Sequence, residues 1–404
     1  MDRTILHCDC NGYFASVECI FRPELWSVPM AVCGDPKNRH GVILAKNELA
    51  KAYGIVTAET VWQALKKCPK LTLVAPHHDK YREFSKRINL IYAQYTDQVE
   101  AFSVDESWLD VTGSLHLFGT GKEIADTLRK RVRGEIGLTI SVGVSFNKTF
   151  AKLGSDYKKP DATTVITREN FKDILWPLPA RSMLYVGKAA EETLTKNGIL
   201  TIGDIALAGR ERIRLMLGRS GETIWEYACG MENEAVKRLG EEDAAKSIGN
   251  GITFSRDLLG KDDVRAGLTM LCDTVGARLR RHGLYCSTVQ VQIKNPALHV
   301  ISRQKRLETC TSSTKEILDA AISIVEGSWN MASPIRMLTV TAINLNADGA
   351  TQTSLFDTGG ERRQKSRRLD STVDSIRAKF GTEAISYGNT LSQDIIHKRD
   401  EDEE

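Results

Sequence analysis

The sequence predicts a multidomain chain of the α/β (α+β) class: a ferredoxin-like sheet domain, a short helical segment, then a second, split β-α-β-β-α-β domain. Three observations carry this. Strand and helix patterns alternate over residues 1–166, only short helical patterns fill 168–235, and 247–346 reads strand, helix, two strands, helix, strand. At 404 residues the chain exceeds one ordinary core, so roughly two to four domains are expected.

Composition sets limits. The chain is 41% hydrophobic and 26% charged, with a formal net charge of only +3, so any nucleic-acid partner must be sought in local patches. No apolar run approaches ~18 residues, and no basic leader precedes an apolar region at the N-terminus. Nine cysteines, odd in number and scattered, fit a reducing compartment. A cytoplasmic, non-membrane, monomeric protein is expected. His7, Cys8 and Cys10 lack a second cluster at ligand spacing, so structural zinc is not expected.

Taken in order, TILHCDC (4–10) is a strand ending at Asp9, and Asn11-Gly12 breaks into a helix carrying Tyr13 and Phe14. The first amides of that helix can face a phosphate. Phe14 lies where a nucleotide sugar would sit, or is simply core. Residues 22–75 are mixed: a strand at 30–34, a strand running into a helix at 42–55, and a helix ending in WQALKKCP (62–69). They look like a small subdomain inserted in a larger sheet. Lys46 and Lys51 there could meet a polyphosphate as point charges. Apolar residues at 84, 88, 91, 92 and 95 give 78–99 helical spacing, 121–137 is a second amphipathic helix, and 139–145 alternates as a strand. The 147–160 helix stops at Pro160, with Lys148, Lys152, Lys158 and Lys159 available.

Residues 183–206 read as helix, glycine-bearing turn, helix, similar to a helix-hairpin-helix that grips a DNA phosphate without reading sequence. The polar stretch 238–246 reads as a linker. Between 246 and 346 there are 13 Lys/Arg against 8 Asp/Glu, a net of +5. Lys294, Arg303, Lys305 and Arg306 fall on strands, and basic side chains on one sheet face would suit a phosphate backbone. Residues 347–404 form a tail. Within it TQTSLFD (351–357) reads as an exposed docking peptide, and 361–368 leads into a short amphipathic helix.

The organising stretch is SVDESWLDV (103–111). Asp105 and Glu106 sit between apolar strand segments, as at a tight bend on a sheet edge. Like charges held close call for a shared proton or a cation. With Asp9 on a neighbouring strand they would make an all-oxygen cage for Mg²⁺ or Mn²⁺. Two such ions suit phosphoryl transfer.

These residues resemble the Y-family DNA polymerases, in the DNA polymerase IV (DinB-type) branch, over about 1–346. The features that carry the resemblance are Asp9 followed by Phe14, SVDES and LDVT around Asp105 and Glu106, and Ser155, Asp156, Lys159 and Pro160. It implies a palm (1–13 and 76–166), fingers (14–75), a helical thumb (167–237), a linker (238–246), a little finger (247–346) and a tail (347–404). It implies that Asp9, Asp105, Glu106 and the Cys10 carbonyl bind two metal ions while a primer 3′-hydroxyl attacks the α-phosphate and pyrophosphate leaves. Tyr13, Phe14, Lys51, Tyr81 and Lys159 would meet the nucleotide. Phe14 would be the steric gate backed by Tyr81, and Lys159 would hold the triphosphate. Gly187, Lys188, Arg303, Lys305 and Arg306 would touch DNA. QTSLF (352–356) resembles a bacterial sliding-clamp peptide, with Gln352, Leu355 and Phe356 as its anchors. Primer-template DNA and deoxynucleoside triphosphates are the implied substrates, and low-fidelity synthesis past damaged bases the implied task. Departures are Ala45, Glu48 and Lys51 where the family has Thr, Tyr and Arg, and Tyr185 where a glycine is usual; Lys cannot make Arg's bidentate fork. The alternatives are another palm-type nucleotidyltransferase or nuclease, and a catalytically silent DNA-binding regulator that keeps the fold.

Overall fold

A computed structural model describes residues 2–34, 41–241, 243–347, 360–390 and 394–395. Two compact units comprise Met1–Glu242 and Asp243–Glu404.

In the first unit the strands are β1 (Ile5–Cys10), β2 (Met30–Cys33), β3 (Ile43–Lys46), β4 (Thr72–Val74), β5 (Val99–Ala101), β6 (Glu106–Asp110), β7 (Ile140–Ser145) and β8 (Thr163–Val165). They form a five-stranded sheet in the order β5-β6-β1-β7-β8 and a small sheet in the order β3-β2-β4. The short β4 and β8 carry too few residues to show periodicity, and sequence patterning did not reveal them. The central β1 runs antiparallel to both β6 and β7 and is buried along its whole length. Leu6, Cys8 and Cys10 point into a core shared with the helices His78–Tyr92 and Gly121–Ile136. Ile5, His7 and Asp9 take the other face: Ile5 packs with Ala151, and His7 Nδ1 lies 2.8 Å from Ser155 Oγ, both on the helix Lys148–Tyr157. That helix sits directly on the sheet. A Cβ on Gly143 of β7 would come within 1.9 Å of the Ala151 carbonyl oxygen, so only glycine allows the approach.

In the small sheet, the Asn47 side chain accepts from the amides of Ala50 and Met30 and donates to the carbonyls of Leu25 and Val28. Asn47 is a structural pin. The helices Lys188–Lys196, Ile202–Ala208, Arg210–Leu217 and Arg219–Ala228 close on Phe150, Leu175, Ile205, Ile213 and Ile224. One expectation changes here. Residues 183–187 are not helical but form a turn ahead of the Lys188–Lys196 helix. Its left-handed residue is Tyr185 (φ 69°), whereas Gly187 is at φ −81°. A bulky side chain at positive φ is strained.

The second unit holds β9 (Ser247–Leu258), β10 (Tyr285–Lys294), β11 (Val300–Thr311) and β12 (Ile335–Asn346), all antiparallel, in the order β11-β10-β12-β9. The helices Gly260–Arg281 and Thr314–Ser328 cover the face bearing Val289, Val291, Ile293, Leu338 and Val340. Two expectations are corrected. The basic strand residues do not share one face. Arg303 pairs with Val291 and Lys305 with Val289, so both stand on the helix-covered side at the sheet edge, where Lys305 Nζ donates to Ser323 at 3.0 Å. Arg306 and Lys294 take the opposite side, because side chains alternate with period two. Nor is the segment after 360 a separate tail. The 21-residue helix Gly360–Phe380 ties to the Gly260–Arg281 helix through Asp374–Arg280 (2.6 Å) and Arg377–Asp273 (2.7 Å), and Ile395 is buried in the same core. Gln352, Leu355 and Phe356 lie outside the described residues. Among the described residues no helix is long and apolar enough to cross a membrane.

Candidate active site

Strand register builds the site. Asp9, near the end of β1, is the Cα partner of Glu106, which opens β6, and the Cys10 amide donates to the Asp105 carbonyl at 3.1 Å. The hairpin β5–β6 is tied at the bend by the amides of Phe102 and Ser103, both donating to the Glu106 carbonyl (2.9 and 3.2 Å). Asp9 and Glu106 therefore lie side by side beneath the Lys148–Tyr157 helix. Lys152 Nζ donates to Glu106 Oε1 at 2.6 Å. Lys159 Nζ, just past the helix, donates to Asp9 Oδ2 and Asp156 Oδ1, both at 2.6 Å.

Asp105 faces elsewhere and accepts from Ser103 Oγ at 2.6 Å. The expected three-carboxylate cage is therefore not preformed. Among the described residues no three His, Cys, Asp or Glu side chains are gathered to hold a metal ion. Three like charges repel, and each has taken its own donor. The Cys10 thiol lies in the apolar core and is pushed well up by burial, which leaves only its carbonyl as a possible ligand.

Burial pushes the Asp9 carboxyl up to about 7; Lys159 opposes this and Glu106 adds to it. Burial pulls on Lys159 in the other sense, but Asp9 and Asp156 outweigh it, and its ammonium is held above its ordinary value. Even with a lysine at contact distance, the Asp9 charge is undercompensated. Hard carboxylate oxygens with an unmet demand for positive charge fit Mg²⁺ or Mn²⁺.

The loop carrying Lys159 is braced from below. The Asp161 amide donates to Asn11 Oδ1 at 2.9 Å, and Asn11 Nδ2 donates to Ser141 Oγ at 2.9 Å. The Asp161 carboxylate accepts from Arg129 Nε (3.1 Å) and Nη2 (2.9 Å), and Arg129 also meets the Asp161 carbonyl. Sequence reasoning passed over Arg129 and Asp161. A polar residue on the outer face of an amphipathic helix carries no signal of the loop it will meet.

Near the start of the Tyr13–Phe21 helix, Phe14 stacks on Tyr81 with ring centroids 4.0 Å apart and planes at 13°. Tyr13 Oη donates to the Tyr81 carbonyl at 2.6 Å. The three aromatics assigned to the nucleotide are thus one cluster. Lys51 is instead exposed on the helix Glu48–Ala52 and pairs with Glu48 at 3.4 Å, while Lys46 Nζ donates to Thr57 at 3.1 Å. Gly187 caps the Lys188–Lys196 helix with no side-chain hydrogen bond, and Lys188 is exposed.

The family model described as the impB/mucB/samB family matches residues 8–156, and its C-terminal domain matches 245–355. The chain is 47% identical to a DNA polymerase IV of Acetivibrio thermocellus, across 97% of this chain and 98% of that one. It is 36% identical to a DNA polymerase IV of Clostridium acetobutylicum (98% and 100%), and 34% identical to DNA polymerase IV 2 of Bacillus subtilis (97% and 95%). The fold matches a solved Y-family DNA polymerase chimera, Dbh-Dpo4(243-245)-Dbh, with a TM-score of 0.74 and 22% identity over 84% of this chain and 98% of that one. A relationship that spans both units at this identity places the site in a known lineage: the chain belongs to the Y-family DNA polymerases, in the DNA polymerase IV branch.

Proposed function

We propose that this chain extends a primer 3′-hydroxyl on a DNA template with deoxynucleoside triphosphates, past damaged bases and with low fidelity. The carrying observation is the register of β1 against β6, which sets the Asp9 and Glu106 carboxylates opposite one another with Asp105 on the adjoining backbone. Asp9, Asp105, Glu106 and the Cys10 carbonyl are the ligands we assign to two Mg²⁺ ions, with Mn²⁺ as a substitute. When bound, such ions activate the attacking hydroxyl and stabilise charge on the phosphates. Asp105, held by Ser103 in this structure, must leave that contact to join the other two acids.

The chain's own residues do the rest by positioning. Lys159, already charged and aimed at Asp9, is placed to hold the triphosphate. Phe14 packs under the sugar, where a 2′-hydroxyl would meet its ring. Tyr13 and Lys51 are assigned to the nucleotide as well. We assign 1–13 and 76–166 to the palm, 14–75 to the fingers, 167–237 to the thumb, 238–246 to the linker and 247–346 to the little finger. Gly187, Lys188, Arg303, Lys305 and Arg306 are assigned to DNA backbone contacts, and 352–356 to a bacterial sliding clamp, with the enzyme acting as a cytoplasmic monomer. Primer extension with Mg²⁺ tests the core of this: wild type extends, Glu106→Ala does not. Extension by Glu106→Ala at the wild-type rate removes the metal-acid assignment.

A further inference from the structure

The helix Tyr13–Phe21 (YFASVECIF) carries one charged residue, Glu18, and that acid is 1% exposed. Its carboxylate accepts from Tyr81 Oη at 2.5 Å, lies 2.8 Å from His77 Nδ1, and is reached by Arg22 Nη2 at 3.5 Å. A buried carboxylate is costly unless fully partnered. An apolar residue of similar volume would fill the same space without that cost. Unlike such a residue, and besides meeting His77 and Arg22, the carboxylate fixes the far end of the Tyr81 ring through the shortest of its three contacts.

That ring supports Phe14. The two planes are stacked at 4.0 Å, so Phe14 can retreat only if Tyr81 moves. Tyr81 is 1% exposed and held at both ends, its hydroxyl by Glu18 and its carbonyl by Tyr13 Oη. His78 closes the side, edge-on to both rings at 5.7 Å. Glu18 thus ties the helix that carries Phe14 to the His78–Tyr92 helix that carries Tyr81.

We propose that Glu18 is a positioning residue for sugar selection: it anchors the Tyr81 phenol, Tyr81 backs the Phe14 ring, and the stiffness of that stack decides whether a 2′-hydroxyl is refused. This rests on the reading that Phe14 lies under the sugar. A stack free to tilt makes room for one extra oxygen, whereas a locked one does not.

The measurement is single-nucleotide insertion by the full-length protein with Mg²⁺, comparing kcat/KM for a deoxynucleotide and its ribonucleotide. Tyr81→Phe and Glu18→Gln are each expected to lower the discrimination ratio by about tenfold, the worth of one hydrogen bond to a charged group. Phe14→Ala lowers it further, and adding Tyr81→Phe to Phe14→Ala changes nothing more, because both act through one ring. Circular dichroism checks that each variant folds. If Glu18→Gln does not, Tyr81→Phe, which removes a single oxygen, decides. A ratio unmoved by Phe14→Ala overturns the gate reading and this proposal with it. A ratio lowered by Phe14→Ala but unmoved by Tyr81→Phe leaves the gate standing and overturns the role of Glu18.

Discussion

Asp9 is buried beside Glu106 at the expense of stability, and replacing it with asparagine exposes that cost. Burial, with Glu106 alongside, raises its carboxyl from 3.8 to about 7 in the folded chain. At pH 8 the group is ionised in both folded and unfolded states, so the folded state bears the cost. Three pH units correspond to about 4 kcal/mol as an upper limit. Asp9→Asn is nearly isosteric and uncharged, and recovers part of this. The attraction of Lys159 is already contained in that figure, and Lys159 keeps Asp156 at 2.6 Å, but the asparagine amide stays buried without its full set of partners, which returns about 1–2 kcal/mol. The net expectation is a gain of about 2 kcal/mol, or about 4–8 °C in the unfolding transition of a unit this size. The sign follows from linkage. An acid whose folded value is raised contributes stability below its unfolded value that is lost as pH climbs from about 4 to 7. The advantage of Asp9→Asn therefore grows across that window and is smaller at pH 5 than at pH 8. Thermal unfolding followed by circular dichroism, in chelator at both pH values, measures it, and primer extension by the same variant is expected to be lost. A variant no more stable than wild type at pH 8, or equally advantaged at both pH values, refutes the reasoning.

Four further outcomes are expected. Arg129→Ala frees the Asp161 loop and raises the apparent nucleotide KM by about tenfold through Lys159, with kcat little changed; an unchanged KM in steady-state titration shows that the brace does not matter. Lys51→Ala raises the apparent nucleotide KM several-fold, and equality with wild type removes Lys51 from the site. Deleting 352–356 abolishes clamp-stimulated processive synthesis but spares distributive extension; persistent clamp stimulation disproves that assignment. Gly143→Ala drives a Cβ against the Ala151 carbonyl and lowers stability by about 2–3 kcal/mol in denaturant titration; a cost under ~0.5 kcal/mol means that the helix lifts freely from the sheet.

Local patterning carried much of the architecture. The 3.6-residue spacing of 78–99 survives folding because that helix buries the face its own sequence makes apolar; TISVGVS forms the strand its alternation predicts, but both of its faces are buried, the small Ser141 and Gly143 side lying under the Lys148–Tyr157 helix. Register was less legible. Arg303, Lys305 and Arg306 read as one basic run, yet pairing with Val291, Val289 and Thr288 divides them between two faces. A run of charges does not reveal its phase; only the apolar partners on β10 set it. The helix Gly360–Phe380 looked like tail for a similar reason. Its Asp374 and Arg377 find Arg280 and Asp273, side chains on another element that are close only once folded.

By itself the sequence singled out which acids, aromatics and lysines to propose for the chemistry, because Asp9, Phe14, Asp105, Glu106 and Lys159 stand in the short motifs that carry the resemblance. What only the tertiary structure decided is their mutual charge and stiffness. That Asp9 faces Glu106 and is undercompensated by Lys159, that Asp105 turns to Ser103, and that Glu18 locks Tyr81 beneath Phe14 all depend on burial and on contacts between distant segments. Desolvation and through-space pairing belong to the packed molecule, and no window of sequence contains them.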